Sequence, residues 1–442
     1  MDFSLSEDQL LIRDTVRQFM EAEVRPSIRR RDKEEEFGAE ELRRLGEMGC
    51  CGMLVPEEWG GAGVDTLSYV LMLEEVARID AALAVALSVT NSVVGWPLYR
   101  HGTEAQRRRY LARLACGEIL GAFCLTEPRA GSDSAAIETR AERRGDIYLL
   151  NGTKSWVTNG GESGLYVVFA KTDPSAGARG VTAFLVEPRF SGFRVSRYED
   201  KMGLRTSRTA EISFTDCDVP AENRLGAEGQ GLKIALEALD GGRVGIAAQG
   251  LGIAEGALDA AAKFACERRA FGKAISEFQA IEWMLADMHT EIEAARVLIW
   301  QAAWLRDKEL RDRELRDAAF RDNEMRDSGS WPRGRLGAHA SRAKLYAGEM
   351  VNRVVYKAVQ IHGSMGYSRE SDVERMYRDA RVISIYEGTS EIQRLIVARD
   401  LLAHRVAGVD LKTEAAGQPA LTATNDGSDG APPSGVSCGG GS

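Results

Sequence analysis

Apolar positions recur at helical spacing at both ends of the chain and at strand spacing in the middle. Within residues 1–121, Leu10, Ile12, Val16 and Phe19 mark a helical face, and Ser6 and Gln9 precede it at capping-box spacing. "SYVLMLEEVARIDAALAVALSV" is a longer apolar stretch of the same type. It carries too many polar breaks to span a bilayer, and no run of 18 or more apolar residues is expected. Pro56, Gly60, Gly61 and Gly63 mark a loop between helices. From 122 to 230, "IYLLNGTKSWVTNG", "GLYVVFAKTD" and "VTAFLVEP" are short β-branched and aromatic runs. Asn-Gly at 151–152 and 159–160 reads as turn punctuation between them. Helical periodicity returns over 231–404, and 405–442, rich in Gly, Ser, Thr, Ala and Pro, is expected to be disordered. The chain therefore reads as α+β multidomain: an N-terminal helical domain, a middle, mostly antiparallel β domain and a C-terminal helical domain.

"LRDKELRDRELRDAAFRDNEMRDSG", 305–329, is a five-unit pentapeptide repeat within that last region. A five-residue step turns a helix by roughly 140°, so its apolar residues scatter around the axis and form no buried face. Asp307, Asp312, Asp317 and Asp322 each precede an arginine by four residues. Such pairs contribute roughly 0.2–0.5 kcal/mol each, which predicts a solvent-exposed extension of the preceding helix over 305–327, with a disordered loop as the rival reading. Ser328 to Pro332 should end it.

The formal net charge of −9 and acidic pI argue against non-specific nucleic-acid binding. The first residues lack a basic-then-apolar signal pattern. Seven cysteines without CxxC pairing fit reduced thiols in a cytoplasm, and five scattered histidines show no metal-ligand spacing.

Four motifs carry candidate chemistry. "FCLTEPRAGSDSAA", 123–136, offers exposed N–H and hydroxyl donors around Pro128, Gly131 and Ser132, suited to a phosphate or a polar ring edge, or is a plain loop. "KSWVTNG", 154–160, puts Trp156 and Thr158 on one side of a strand. There they would meet a flat heterocycle or simply cover a barrel edge. "ERRAFGKAISEFQ" presents Arg268, Phe271 and Gln279, and "QIHGSMGYSRE" places Gly363 and Gly366 near a helix end. A fifth stretch, "ISIYEGTSEIQR", sets one carboxylate, Glu387, between apolar residues and Gly-Thr-Ser. Ser390 and Gln393 are at capping-box spacing for the helix that follows, along which Ile392, Leu395, Ile396 and Leu402 recur.

In this order the motifs resemble the acyl-CoA dehydrogenase family of flavoproteins over residues 1–404, apart from the repeat. "CLTEPRAGSDSAA" and the pattern from Gln360 through Gly363, Ser364, Gly366, Tyr367, Glu370 and Arg375 to Asp379 carry the likeness. "LDGGRVGIAAQG" and "RDARVISIYEGTSEIQR" look closest to the short-chain, butyryl-CoA-type branch. The resemblance implies a C-terminal four-helix bundle, bound FAD, and α,β-dehydrogenation of an acyl-CoA with β-hydride passing to flavin N5. It implies a tetramer built from dimers and an electron-transferring flavoprotein as acceptor.

By the same resemblance, Phe123, Leu125, Thr126, Gly131, Ser132, Trp156, Val157 and Thr158 would line the flavin. Arg268, Phe271, Gln279, Gln360, Gly363 and Ser364 would hold the ADP part of a neighbouring subunit's FAD, and Thr389 and Glu391 would contact FAD beside the catalytic loop. Ser132, Asp240, Arg243 and Gly388 would line the acyl-CoA site, with Glu387 as catalytic base. Some family members carry the base on the helix that here holds Gly242, which cannot serve. Two departures stand out: about twenty extra residues within 306–337, and Trp96 where the butyryl branch is expected to have a smaller residue. Rival readings keep the fold with an acyl-carrier-protein-linked or dicarboxylic thioester, or with nitroalkane oxidation. Another makes the chain a DNA-associated protein.

Overall fold

A computed structural model describes residues 4–320 and 335–406, with side chains for 4–312 and 336–403. Helices α1 (Glu7–Phe19), α2 (Ile28–Glu34), α3 (Ala39–Glu47), α4 (Thr66–Ala77), α5 (Ala81–Ser88), α6 (Trp96–His101) and α7 (Glu104–Ala115) form the N-terminal region. The Ser6–Gln9 capping box is present as read. Asp80 caps α5 through the N–H groups of Ala82 and Leu83, and its other oxygen takes a 2.8 Å bond from buried Arg31.

Helix α5 continues through a π-helical stretch into α6. This run, Ala81–His101, is long and apolar enough by composition to cross a membrane, although Ser88, Thr90, Asn91 and Ser92 keep it from being an unbroken apolar run. It lies wholly buried inside the protein. Its polar interruptions do not break it, because Thr90, Asn91 and Ser92 donate back to the carbonyls of Ala86, Leu87 and Ser88.

The middle region holds β1 (Leu120–Cys124), β2 (Arg140–Arg144), β3 (Ile147–Thr158), β4 (Ser163–Lys171), β5 (Val181–Val186), β6 (Phe193–Tyr198), β7 (Thr209–Pro220) and β8 (Arg224–Leu225). They form one sheet in the order β6-β7-β3-β2-β4-β5-β8, with β1 paired to β4. Most pairs are antiparallel, but β1 runs parallel to β4, so the sheet is mixed. Asn159-Gly160 makes the β3–β4 turn as expected. Asn151-Gly152 does not turn, for it lies inside β3 at a register shift. A side chain at Gly152 would collide with Thr139, so the glycine there serves close backbone approach.

Helix α8 (Gly231–Glu267) leads to the small hairpin β9 (Arg269–Ala270) and β10 (Lys273–Ala274). Helices α9 (Gln279–Phe320), α10 (Arg335–His362), α11 (Asp372–Ala380) and α12 (Ser390–Val406) follow. Helices α8, α9 and α10 pack on one another, and α4 packs on α8 and α9. Asp379 on α11 accepts from the Leu204 N–H at 2.6 Å, and Arg375 donates to the Ile79 carbonyl at 2.9 Å. These two bonds tie the three regions together just before the Glu387 loop.

The repeat corrects one expectation. Helix α9 does continue through Phe320, but its first unit is not exposed. Arg306 is buried, and the Asp307 carboxylate takes the Thr66 N–H at 3.0 Å instead of pairing with Arg311. The units beyond Phe320, the Ser328–Pro332 stop and the 407–442 tail lie outside the described residues.

Candidate active site

The chain reaches Glu387 through a 3₁₀ turn, Arg381–Ser384, after α11. Glu387 and Gly388 both take positive φ, +50° and +95°. For a glutamate this conformation costs roughly 1–2 kcal/mol, so the surroundings must hold it. Gln393 Nε2 donates to the Gly388 carbonyl at 2.9 Å and the Glu387 carbonyl at 3.2 Å. Lys344 Nζ, from α10, donates to the same Gly388 oxygen at 2.6 Å. The Tyr386 hydroxyl bonds Gln249 of α8, whose amide donates to the Ala81 carbonyl at 2.6 Å. The capping box expected at Ser390 is absent. Thr389 caps the helix by accepting from the Ile392 N–H at 3.4 Å, and Gln393 is turned back onto the loop.

This frame aims the Glu387 side chain at α8. Its carboxylate rests against Gly242, where any Cβ would collide with it. Gly242 on α8 and the loop that bears Glu387 thus meet at one point. Glu387 is partly exposed as a residue, yet its Oε2 is buried and has no hydrogen-bond partner. Burial pushes the carboxyl up to about 7, against the opposing pull of Arg243 and Lys344. Arg243 is buried and paired with Asp240. Burial raises Asp240 to about 6, with Arg243 opposing. Burial also lowers Lys344 to about 8, with Glu387 opposing.

The 123–136 segment and the end of β3 form one unit. The Ser155 N–H bonds the Thr126 carbonyl at 2.9 Å. Buried Lys154 bonds Glu127 at 2.6 Å and the Leu125 carbonyl at 3.2 Å, and Glu127 also accepts from the Thr139 N–H. Val157 is buried between Trp156, which is 59% exposed, and part-exposed Thr158. A bulge precedes them, and Trp156 has φ +58°. Phe123 packs on Phe169 with ring centroids 4.9 Å apart, and Leu125 is buried. Thr126 is part-exposed, while Gly131 and Ser132 are exposed. A Cβ at Gly131 would touch nothing.

A third group gathers where α8 and α10 end. Phe264 and His362 stack with ring centroids 4.4 Å apart. Around them Arg268, Phe271, Gln279, Gln360, Gly363 and Ser364 are all exposed, Phe271 almost completely. Phe271 has φ +49°, so three expected site residues (Glu387, Trp156 and Phe271) share the left-handed conformation. At a rise of 1.5 Å per residue, Arg268 lies about 38 Å along α8 from Arg243. Thr389 is part-exposed and Glu391 exposed at the start of α12.

The sequence reading missed Lys344, Gln393, Gln249 and the Glu127–Lys154 pair. One signal for Lys344 was available: it shares a helical face with Ala340 and Ala347, both buried, and a lysine between buried alanines needs a partner. Trp96 is buried, with its ring 4.8 Å from the Arg306 guanidinium.

Sequence models of the acyl-CoA dehydrogenase N-terminal, middle and C-terminal domains match residues 6–118, 122–217 and 229–402. The chain is 43% identical over 398 residues to the short-chain specific acyl-CoA dehydrogenase of Clostridium acetobutylicum, covering 90% of this chain and 99% of that one. The solved butyryl-CoA dehydrogenase of Megasphaera elsdenii superposes with a TM-score of 0.84 at 42% identity, covering 91% and 100% of the two chains. A chain from structural work on the electron transferring flavoprotein of Acidaminococcus fermentans gives 0.85 at 45% identity, with coverage of 91% and 100%. With three consecutive domain matches and relatives this similar along nearly their whole length, the chain belongs to the acyl-CoA dehydrogenase family.

Proposed function

We propose that this protein is an FAD-dependent oxidoreductase that dehydrogenates short-chain acyl-CoA thioesters at the α,β-bond, with Glu387 as the base. The observation that carries the assignment is the buried, unpartnered Glu387 Oε2 against Gly242. An α C–H beside a thioester is a weak acid, so its removal needs a positioned base of raised basicity. Burial provides this, because a carboxylate out of water gains more from taking a proton. At about 7 the group is poised to accept a proton near neutrality and to release it again. Gly388 has φ +95° and a Cβ there would meet Gln393 Nε2 at 2.5 Å, so the glycine lets the loop close against α12, and the Glu387 N–H can polarise the thioester carbonyl. Arg243, held by Asp240, keeps a positive charge beside the carboxylate and limits the rise in its pKa.

The residues present fit FAD. Trp156 offers an exposed aromatic face, and Thr126, Ser132 and Thr158 offer hydroxyls from segments anchored by the Glu127–Lys154 pair. We assign Phe123, Leu125, Gly131 and Val157 to the same wall, and Thr389 and Glu391, which follow the Glu387 loop, to the same cofactor. Bound there, FAD would supply the two-electron acceptor. The Arg268, Phe271, Gln279, Gln360, Gly363 and Ser364 group lies at the opposite end of α8 from Arg243, about 38 Å along the helix. We assign it to the ADP part of a neighbouring subunit's FAD, which supports a homotetramer of paired dimers. An electron-transferring flavoprotein as acceptor and a cytoplasmic setting complete the reading. The test is anaerobic flavin bleaching by straight-chain acyl-CoAs from C4 to C16: reduction fastest at the short end supports it, and no reduction by any of them rejects it.

A further inference from the structure

Helix α8 presents glycines at 241, 242 and 245, and each backs a polar group. Gly242 backs the Glu387 carboxylate. A Cβ at Gly245 would lie 2.5 Å from Ser88 Oγ and 2.6 Å from the Tyr69 hydroxyl. A Cβ at Gly241 would lie 3.2 Å from Nη2 of Arg306. Positions 241 and 245, and 242 and 245, are neighbours on a helix surface. The three glycines therefore bring the Glu387 carboxylate, the Arg306 guanidinium and the Ser88 and Tyr69 hydroxyls against about one turn of α8.

Arg306 is only 2% exposed. Its Nη1 donates to Thr66 Oγ1 at 3.2 Å, its Cζ sits 4.8 Å from the Trp96 ring centroid, and its Nη2 has no partner. Other buried arginines, Arg31, Arg243 and Arg375, each pair with a carboxylate: Asp80, Asp240 and Asp379. Arg306 has no carboxylate within 4 Å among the described residues. The acids nearest in sequence and space are committed elsewhere, Asp307 to Thr66 and Asp240 to Arg243. A guanidinium cannot shed its charge as a lysine can. A buried, unpaired one is costly and calls for an anion.

We propose that Arg306 receives a carboxylate at the far end of the acyl group, so that the site takes short dicarboxylic acyl-CoA thioesters. Glu387 then faces the α-carbon while Arg306 forks onto the terminal carboxylate, with the Trp96 ring against the guanidinium closing that end. This rests on the dehydrogenase reading and narrows its substrate. A purely apolar tail would leave Nη2 unpaired in a dry site.

The test compares glutaryl-CoA with butyryl-CoA on the holoenzyme, by anaerobic flavin reduction and by equilibrium binding to the oxidised form. The wild type should reduce and bind with glutaryl-CoA at least as well as with butyryl-CoA. In Arg306→Met the glutaryl-to-butyryl ratio of kcat/KM should fall about 30-fold, an ordinary loss for a charged hydrogen-bond partner. Arg306→Lys, which keeps the charge without the fork, should lose less, and guards against a Met variant that fails to fold. A wild type that takes butyryl-CoA and refuses glutaryl-CoA overturns this inference alone, as does a ratio unchanged within about 3-fold in Arg306→Met. Failure of both thioesters to reduce the flavin overturns the dehydrogenase reading as well.

Discussion

Lys344→Met keeps the side chain's length while removing its charge and its 2.6 Å bond to the Gly388 carbonyl. Two consequences follow. The 387–388 turn, which already holds a non-glycine residue at positive φ, loses a charge-assisted bond of roughly 1.5–3 kcal/mol. Glu387 also loses one of the two cations that oppose its rise, Arg243 being the larger influence. A nearby opposite charge shifts a carboxyl by about 1–3 units, and the lesser of two contributes at the low end. Glu387 should therefore move from about 7 to roughly a unit higher. The base works deprotonated, so at pH 7 its active fraction falls from about a half to about a tenth. Flavin reduction by butyryl-CoA, followed anaerobically by stopped flow, should slow about five-fold at pH 7. Lys344 itself titrates near 8, so the deficit should shrink above pH 8–9, where the wild type also lacks the charge. Lys344→Arg should restore much of the profile. An equal loss at every pH, or an acid limb that does not move, would refute the electrostatic part of the reasoning.

Other outcomes follow from single contacts. Gly242→Ala puts a Cβ into the Glu387 carboxylate; flavin content should hold while the reduction rate drops by about 10²-fold, the usual effect of displacing a reacting group by an ångström. Arg268→Ala should lower FAD retention on dilution, in step with subunit dissociation measured by light scattering, and leave the reduction rate of the remaining holoenzyme near wild type. Deleting 313–333 with a short linker should leave flavin content and turnover within a few-fold. A deletion that begins at 306 should cost both, because it removes buried Arg306 and the Asp307–Thr66 bond.

The helical ends and the strand-rich middle were legible because amphipathic spacing follows directly from which face is buried. The Ser6–Gln9 cap was legible because both partners are local. Reading failed where a distant partner overrode a local rule. Gln393 stands at capping-box spacing from Ser390 but bonds the loop carbonyls, since the strained turn at 387–388 offers better acceptors. Asp307 stands four residues before Arg311 but accepts from the N–H and hydroxyl of Thr66 at the start of α4. Asn151-Gly152 carries a turn signature, yet serves close approach to Thr139 within a strand. Glu387 itself was legible only through the family pattern. A glutamate in a Gly-Thr-Ser loop is ordinary until α8 is seen to leave a glycine beneath it.

The claim that Glu387 is the base is tested most directly by single-turnover reduction of the flavin in wild type and Glu387→Gln holoenzymes, each mixed anaerobically with butyryl-CoA across pH 5.5–9. The wild-type rate should rise with pH through a midpoint near 7. The Gln variant should bind the thioester, perturb the flavin spectrum and reduce at least about 10²-fold more slowly at every pH. A Gln variant that bleaches within a few-fold of wild type, with the same pH profile, would place the base elsewhere and contradict the account.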